Sequence, residues 1–535
     1  MAVLHSAHVD PFTRDHLPDR QAWPELILTL PELDYPERLN CGAELLDATI
    51  TQLGGDRPCL RTDAETWTYE ELRRRVNQVA HVLVEELGIV PGNRVLLRGP
   101  NNPWGVACWL AVMKAGAVAV ATMPLLREAE LRPIIDRSLP AAALCDARLR
   151  AELDGMAVAF PIVAYGGEDA DDLIQLSRTK ATDFEAAPTA ADDVCLIAFT
   201  SGTTGAPKGC MHFHRDVLAI ADTFSRHIVR PRGDDLFVAS PPMAFTYGLG
   251  GMLVFPLRAG ATSLLVERTS PELLAEAIAR HGATVLSTAP TAYRAMLKLT
   301  DAKMGTLRRC VSAGENLPRA TWEAWHAATG QRIIDGIGST EMLHIFIAAA
   351  DDDIRPGSTG RAVPGYEARV VDLEGAPVAD GEVGRLAARG PTGCRYLDDA
   401  RQSVYVQRGW NLTGDAYLRD GEGYFWFQAR ADDMIISSGY NIAGPEVEEA
   451  LLRNPDVTEA AVIGVPDPDR GSIVKAFVVL RDGVPRSEQT VAALQDFVKA
   501  EIAPYKYPRA MSFVEALPRT PTGKLQRYRL RQEHG

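Results

Sequence analysis

Apolar residues recur at spacings of three and four from Trp67 to Leu87, in WTYEELRRRVNQVAHVLVEELG, and the run closes on Gly88 ahead of PGNRVLLRGP. That pattern predicts a helix, a turn and a strand. The alternation returns: helix-like PWGVACWLAVMKAG precedes the short apolar run AVAVAT, and PELLAEAIARHG precedes ATVLSTAP. Strands separated by helices predict parallel α/β layers. No solenoid-type period is present. Near residues 428–435 the texture changes, as GEGYFWFQARADDMIISSGYNI passes from an aromatic strand through the charged tetrad RADD into a second strand. The segments that follow (GPEVEEALLRNP, VTEAAVIGVPD, KAFVVL, TVAALQDFVKAEI and MSFVEALPRTPTGKLQR) predict a compact α+β unit of one small domain.

At 535 residues the chain exceeds what one core supports, so at least two domains are expected. Hydrophobic residues make up 46% and charged residues 24%, and no apolar run approaches the roughly 20 residues of a membrane helix. The opening MAVLHSAHVDPFTRDHLPDR lacks the continuous apolar stretch of a secretory signal, so a cytoplasmic location is expected. The eight cysteines form no C-x-x-C pair and no Cys/His cluster of zinc-ligand spacing, and read as reduced core thiols. A net charge of −14 argues against a general nucleic-acid or anionic-membrane surface, while leaving room for a local pocket that grips a phosphorylated small molecule.

The candidate for that grip is TSGTTGAPKG, residues 200–209, directly after the apolar run VCLIAF. Small residues let backbone N–H groups approach a ligand, Ser and Thr hydroxyls add donors, and one Lys supplies charge, a set that suits a polyphosphate. A flexible surface loop is the competing reading. A Walker A loop needs G-x-x-x-x-G-K-[ST]; here Pro207 precedes Lys208 and Gly209-Cys210 follow it, so the loop is of another kind.

With GIGSTEM (336–342), NLTGD (411–415), ARADDMIISSGYNI (429–442) and PRTPTGK (518–524), this loop resembles, in order and spacing, the adenylate-forming superfamily of acyl-CoA synthetases, peptide-synthetase adenylation domains and luciferases. The resemblance spans nearly the whole chain. AFTYGLGG (244–251) and GIGSTEMLHIF (336–346) are most similar to the benzoate-CoA ligase and 2-aminobenzoate-CoA ligase branch. It implies an α/β fold with a large N-terminal domain of layered sheets and helices in several subdomains (1–431), and a small mobile α+β C-terminal domain (432–535) hinged at Asp432. It also implies the substrates ATP and coenzyme A, a Mg²⁺ ion, a small aryl carboxylic acid, and neither nucleic acid nor membrane as partner. The oligomeric state is open, a homodimer being one option.

In that chemistry a carboxylate attacks the α-phosphorus of ATP and expels pyrophosphate, and a thiol then opens the acyl-adenylate; catalysis is positioning plus charge neutralisation. The resemblance assigns Lys208, with Thr200, Ser201, Gly202, Thr203, Thr204 and Gly205, to the departing phosphates. It assigns Thr340 to the α-phosphate and Glu341 to Mg²⁺, although an acidic residue could also simply open a helix. Ala313, Gly314 and Glu315, and the run Asp335, Gly336, Ile337, Gly338, Ser339, fall around the nucleotide. Asp415 and Arg430 are placed on the ribose, a turn aspartate being the plainer reading of Asp415. Lys524 would stabilise charge on the carboxylate and α-phosphate in the first half-reaction, and Gly439 would line the pantetheine tunnel after the small domain rotates.

The acyl pocket is expected from Phe245, Thr246, Tyr247 and Gly248, the Ala313-Gly314 pair, and Ile337, His344 and Ile345. Tyr247 and Ile337 would sandwich a flat ring. His344 either hydrogen-bonds the carboxylate or is a satisfied structural residue, and the Thr246 hydroxyl could pair with an ortho substituent or with its own backbone. Two further functions stay open: an adenylation enzyme that loads a carrier-protein thiol, and a non-catalytic nucleotide sensor. No carrier is fused to the chain, because in the carrier-like LGGD at 53–56 the next residue is Arg57 where the modified Ser is required.

Overall fold

The helix expected from Trp67 begins two residues later, and the cause is local. Thr68 Oγ1 accepts the Glu71 N–H at 3.1 Å while the Glu71 carboxylate accepts the Thr68 N–H at 2.9 Å, a reciprocal cap that starts the helix Tyr69–His81. Trp67 and Thr68 belong instead to the short strand Thr66–Thr68. Leu72, Val76 and Val79 of the helix are buried, as the spacing requires. The computed structural model describes residues 5–200, 207–299, 304–430, 433, 435–437, 440–467, 471–519 and 525–534.

Two large sheets follow from the alternation. In the first, the strands Ile162–Tyr165, Ala142–Asp146, Arg94–Arg98, Val118–Thr122 and Val194–Phe199 lie side by side in parallel, and Gly209–Phe213 closes the edge antiparallel. In the second, nine strands are ordered so that Leu236–Ala239, Val285–Thr288, Arg309–Ser312 and Ile333–Gly338 run parallel at the centre, with Ile345–Ala348 antiparallel beyond them. The crossover helix Pro103–Lys114 is apolar on nearly every face and buried along its length, and Asn102 caps it by accepting the Gly105 N–H at 2.8 Å.

A five-stranded antiparallel sheet carries Trp410–Arg419 and Phe425–Arg430 as neighbours. Beyond it, Ile435, Val447, Val462, Val474, Val498 and their neighbours build a separate core over the three strands Val457–Asp467, Gly471–Leu480 and Ala510–Phe513. The α/β fold with a large N-terminal assembly and a C-terminal α+β unit is therefore as expected. All eight cysteines are buried and unpaired. Among the described residues no helix is long and apolar enough to cross a membrane.

Candidate active site

Phe199 stands opposite Gly209 in the edge hairpin of the first sheet, so the loop leaves and re-enters the sheet at one point. Its neck is tied twice: the Thr200 N–H donates to the Lys208 carbonyl at 2.9 Å, and the Lys208 N–H donates to Thr200 Oγ1 at 3.3 Å. Ser201, Gly202, Thr203, Thr204 and Gly205 lie outside the described residues.

The Lys208 side chain meets the second sheet. Its ammonium donates to Tyr396 Oη at 2.7 Å and to Glu341 Oε1 at 3.2 Å, and Tyr396 O–H in turn donates to Glu341 Oε1 at 2.5 Å. Glu341 and Tyr396 are both buried. Burial first, and the adjoining Glu341 charge second, push the Tyr396 phenol far above its ordinary range, so it stays protonated and serves as a donor. Glu341 Oε2 accepts no hydrogen bond among the described residues, which leaves that oxygen available to a cation. Ser339 Oγ lies 3.2 Å from Tyr405 Oη, whose ring also flanks the Lys208 ammonium. Tyr396 was not foreseen; it falls in RYLD between two recognised motifs, and only its pairing with Cys210 beside the loop reveals it. Tyr396→Phe removes a hydrogen bond to a charged acceptor, and its expected cost is about 1.5–3 kcal/mol in urea unfolding; an unchanged midpoint would refute the contact's importance.

Thr340 is held from beneath. His212 Nε2 donates to the Thr340 carbonyl at 2.8 Å, and Leu343, at φ +65°, bends the chain so that its N–H reaches the same carbonyl at 3.2 Å. Below His212 lies Asp216, wholly buried, which accepts from Arg395 Nη1 at 2.8 Å and from the Phe213 N–H at 3.0 Å. Burial alone would raise the Asp216 pKa; the guanidinium of Arg395, with His212 and Arg215, outweighs it and holds the carboxyl well below its usual range. Of these supports, His212, Asp216 and Arg395 lie outside the recognised motifs, while Leu343 belongs to GIGSTEMLHIF.

Ser312 and Asp335 are direct neighbours across two parallel strands, which sets Ala313-Gly314-Glu315 beside the run from Gly336 to Ser339. Gly314 takes φ +90°, a turn that favours glycine. Asp335 Oδ1 is buried without a hydrogen bond among the described residues, and burial, opposed by the Gly336 N–H, pushes its pKa well up. Asp415 and Arg430 face each other in the antiparallel sheet, with Arg430 Nη1 donating to Asp415 Oδ1 at 2.9 Å. From the C-terminal unit, Arg519 reaches within 4.0 Å of Glu315. Asp432, Gly439 and Lys524 lie outside the described residues.

Among the acyl-pocket candidates, Tyr247 and His344 come together. Phe245 opens the short helix Thr246–Leu249, and Gly248 sits where any Cβ would stand 2.1 Å from the Pro242 carbonyl. Tyr247 donates to the Val311 carbonyl at 3.0 Å and lies 3.3 Å from that of Thr288, joining this helix to the strand that leads into Ala313. Its ring is 5.6 Å from that of His344. His344 is buried with Phe224 and Phe255 at 5.3 and 4.6 Å, and neither ring nitrogen makes a well-formed hydrogen bond among the described residues. Burial brings its pKa down to about 3 against a weak pull from the Tyr247 backbone, so the imidazole is neutral. Ile337 is half-buried, whereas Ile345 is wholly in the core, with its side chain lying where a Cβ on Gly336 would be. Thr246 Oγ1 has no hydrogen-bond partner among the described residues.

Residues 46–395 match the AMP-binding enzyme family and residues 446–524 match the AMP-binding enzyme C-terminal domain. Benzoate–CoA ligase of Thauera aromatica is 38% identical over 517 residues, covering 94% of this chain and 98% of the relative. Among solved structures, the anthranilate CoA ligase AuaEII in complex with anthranoyl-AMP superposes with a TM-score of 0.89 at 34% identity, covering 94% and 99% of the two chains. A benzoate CoA ligase from Burkholderia xenovorans LB400 superposes at 0.84 with 32% identity, covering 92% and 99%.

Proposed function

The chain belongs to the family of AMP-binding enzymes and is an aryl-acid:CoA ligase, and we propose that the acid it activates is benzoate or 2-aminobenzoate. The observation that carries the site assignment is the meeting of Lys208, from the loop of one sheet, with Glu341, from the turn beyond another, on either side of the Tyr396 hydroxyl. Positive charge from Lys208 then faces the departing pyrophosphate, and the Thr340 hydroxyl, fixed through its carbonyl by His212, faces the α-phosphate. Asp415 and Arg430 take the ribose, and the orphaned Asp335 carboxyl stands beside the nucleotide run. Glu341 Oε2 fits a Mg²⁺ ion that keeps most of its waters, and such an ion supplies charge neutralisation on the phosphates.

The carboxylate attacks the α-phosphorus, pyrophosphate leaves, and the CoA thiol then displaces AMP from the acyl-adenylate. Lys524 neutralises charge in the first step. Rotation of the C-terminal domain (432–535) against the N-terminal one (1–431) at Asp432 then brings Gly439 to the thiol's path. Arg519 of the C-terminal unit, within 4.0 Å of Glu315, supports placing the two units next to each other at the nucleotide side.

His344 packs against Phe224 and Phe255 beside Tyr247, an aromatic cluster that suits a flat ring better than a long aliphatic chain. Neutral His344 can offer the acid one N–H without a competing partner. A CoA-thioester assay across benzoate, aminobenzoates, hydroxybenzoates and aliphatic acids tests the proposal: turnover of benzoate-sized acids is expected, and robust turnover of a long aliphatic acid would overturn it. Thr246→Ala is expected to remove at most one hydrogen bond, about 0.5–1.5 kcal/mol or up to about tenfold in kcat/KM, for the ortho-substituted acid alone. An equal loss on unsubstituted benzoate would show that Thr246 shapes the pocket without reading the substituent.

A further inference from the structure

Away from the catalytic groups, the fold gathers soft donor atoms that the sequence keeps far apart. Cys41 opens the helical turn Cys41–Ala43, Cys195 lies on the strand Val194–Phe199, and His214 is the first residue of the helix His214–Ile220. One ligand atom from each falls within 4.8 Å of those of the other two, and all three residues are buried. Cys41 Sγ is 3.9 Å from Cys195 Sγ and 3.1 Å from His214 Nδ1. A fourth soft atom, Met113 Sδ on the helix Pro103–Lys114, stands 3.5 Å from Cys41 Sγ. It comes so near because Gly42 carries no side chain: a Cβ there would lie 3.0 Å from Met113 Cβ. His214 Nδ1, the nitrogen facing Cys41, also accepts the Cys41 N–H at 3.1 Å, a bond that a metal at that nitrogen would displace, while Nε2 is buried with no hydrogen-bond partner among the described residues.

Two sulfurs bonded to one metal at about 2.3 Å stand roughly 3.8–4.0 Å apart for tetrahedral to trigonal angles, and the Cys41–Cys195 separation already falls in that interval. We propose that Cys41, Cys195 and His214, with Met113 as a weak fourth donor, form a buried site for a thiophilic d¹⁰ cation. The thioether and the absence of any carboxylate among the four donors favour Cu(I) over Zn(II). Binding exchanges the two thiol protons for metal–sulfur bonds, and the metal changes no oxidation state. The site stands at the base of the hairpin that carries the phosphate-loop candidate, since Val194 and Phe213, the chain neighbours of Cys195 and His214, are paired across it. A metal there would pin the two strands that support Lys208 without touching substrate.

The test is anaerobic titration of the full-length, reduced protein with Cu(I) against a chromophoric Cu(I) chelator, with Zn(II) run in parallel. One equivalent of Cu(I) bound more tightly than Zn(II) is expected, together with a rise in Tm. X-ray absorption at the copper edge of the wild-type protein should show two to three sulfur scatterers and one nitrogen. Cys195→Ser is expected to weaken Cu(I) binding at least tenfold and Met113→Leu several-fold. Absence of a one-equivalent site, a purely oxygen or nitrogen shell, or affinity unchanged in a folded Cys195→Ser protein would overturn the proposal; if that variant does not fold, the scattering result on the wild type decides. Tighter Zn(II) than Cu(I) binding would overturn the preference for copper.

Discussion

Asp216→Asn lowers the unfolding free energy by about 3–5 kcal/mol, because it leaves the guanidinium of Arg395 buried beside a neutral amide. Both side chains of this pair are wholly removed from solvent, so water cannot restore the lost charge. Urea unfolding measured against the wild type reads the loss directly. The double variant Asp216→Asn/Arg395→Met is expected to regain part of it, since it removes the uncompensated Arg395 charge while Arg215 stays beside the amide. A single-variant cost within about 0.5 kcal/mol, the range of ordinary surface substitutions, would show that the pair does not hold this region. The same carboxyl carries a pH signature. Its folded pKa lies below its unfolded value, so its contribution is complete above the unfolded aspartate pKa of about 3.9 and is lost as pH falls below it towards the folded value. The acid limb of the wild-type stability profile should therefore be steeper than that of Asp216→Asn. Activity should fall with stability for a specific reason, because Asp216 lies 3.7 Å from the imidazole that fixes Thr340.

Lys524→Ala is expected to slow adenylate formation at least about 10²–10³-fold, the usual cost of removing one preorganised charge from a reacting centre. Thioester formation from supplied aryl-adenylate should retain most of its rate, since the lysine's role is confined to charge that develops in the first half-reaction. Single-turnover assays of the two steps separate these outcomes. Equal losses in both would remove Lys524 from its proposed role and make it a structural residue of the C-terminal domain.

Much of the architecture was legible because α/β layering writes itself into local pattern. The helix Pro103–Lys114 and the strand Val118–Thr122 follow from apolar spacing and from a run too short for a helix. The helix at Tyr69 was displaced by two residues because periodicity does not see a cap, although Thr68 and Glu71 have the residue types and spacing of one. At the site, sequence order placed Lys208, Glu341, Asp415 and Arg430 in motifs, and the fold brings each of them to a charged or polar partner.

What the chain alone could not disclose are the partners that arrive from elsewhere. Tyr396 reaches Glu341 from 55 positions away, Asp216 meets Arg395 across 179, and Cys41 meets Cys195 across 154. Each is a residue of ordinary type in an ordinary local setting, and each acquires its role only when separate elements close over it and exclude water. Motif and periodicity, which are short-range, determined the elements, the chemistry and the family; the burial that makes Tyr396 an obligate donor and His344 a neutral ring, and the Arg395 guanidinium that keeps Asp216 an anion against burial, are properties of packing, and only the tertiary structure decided them.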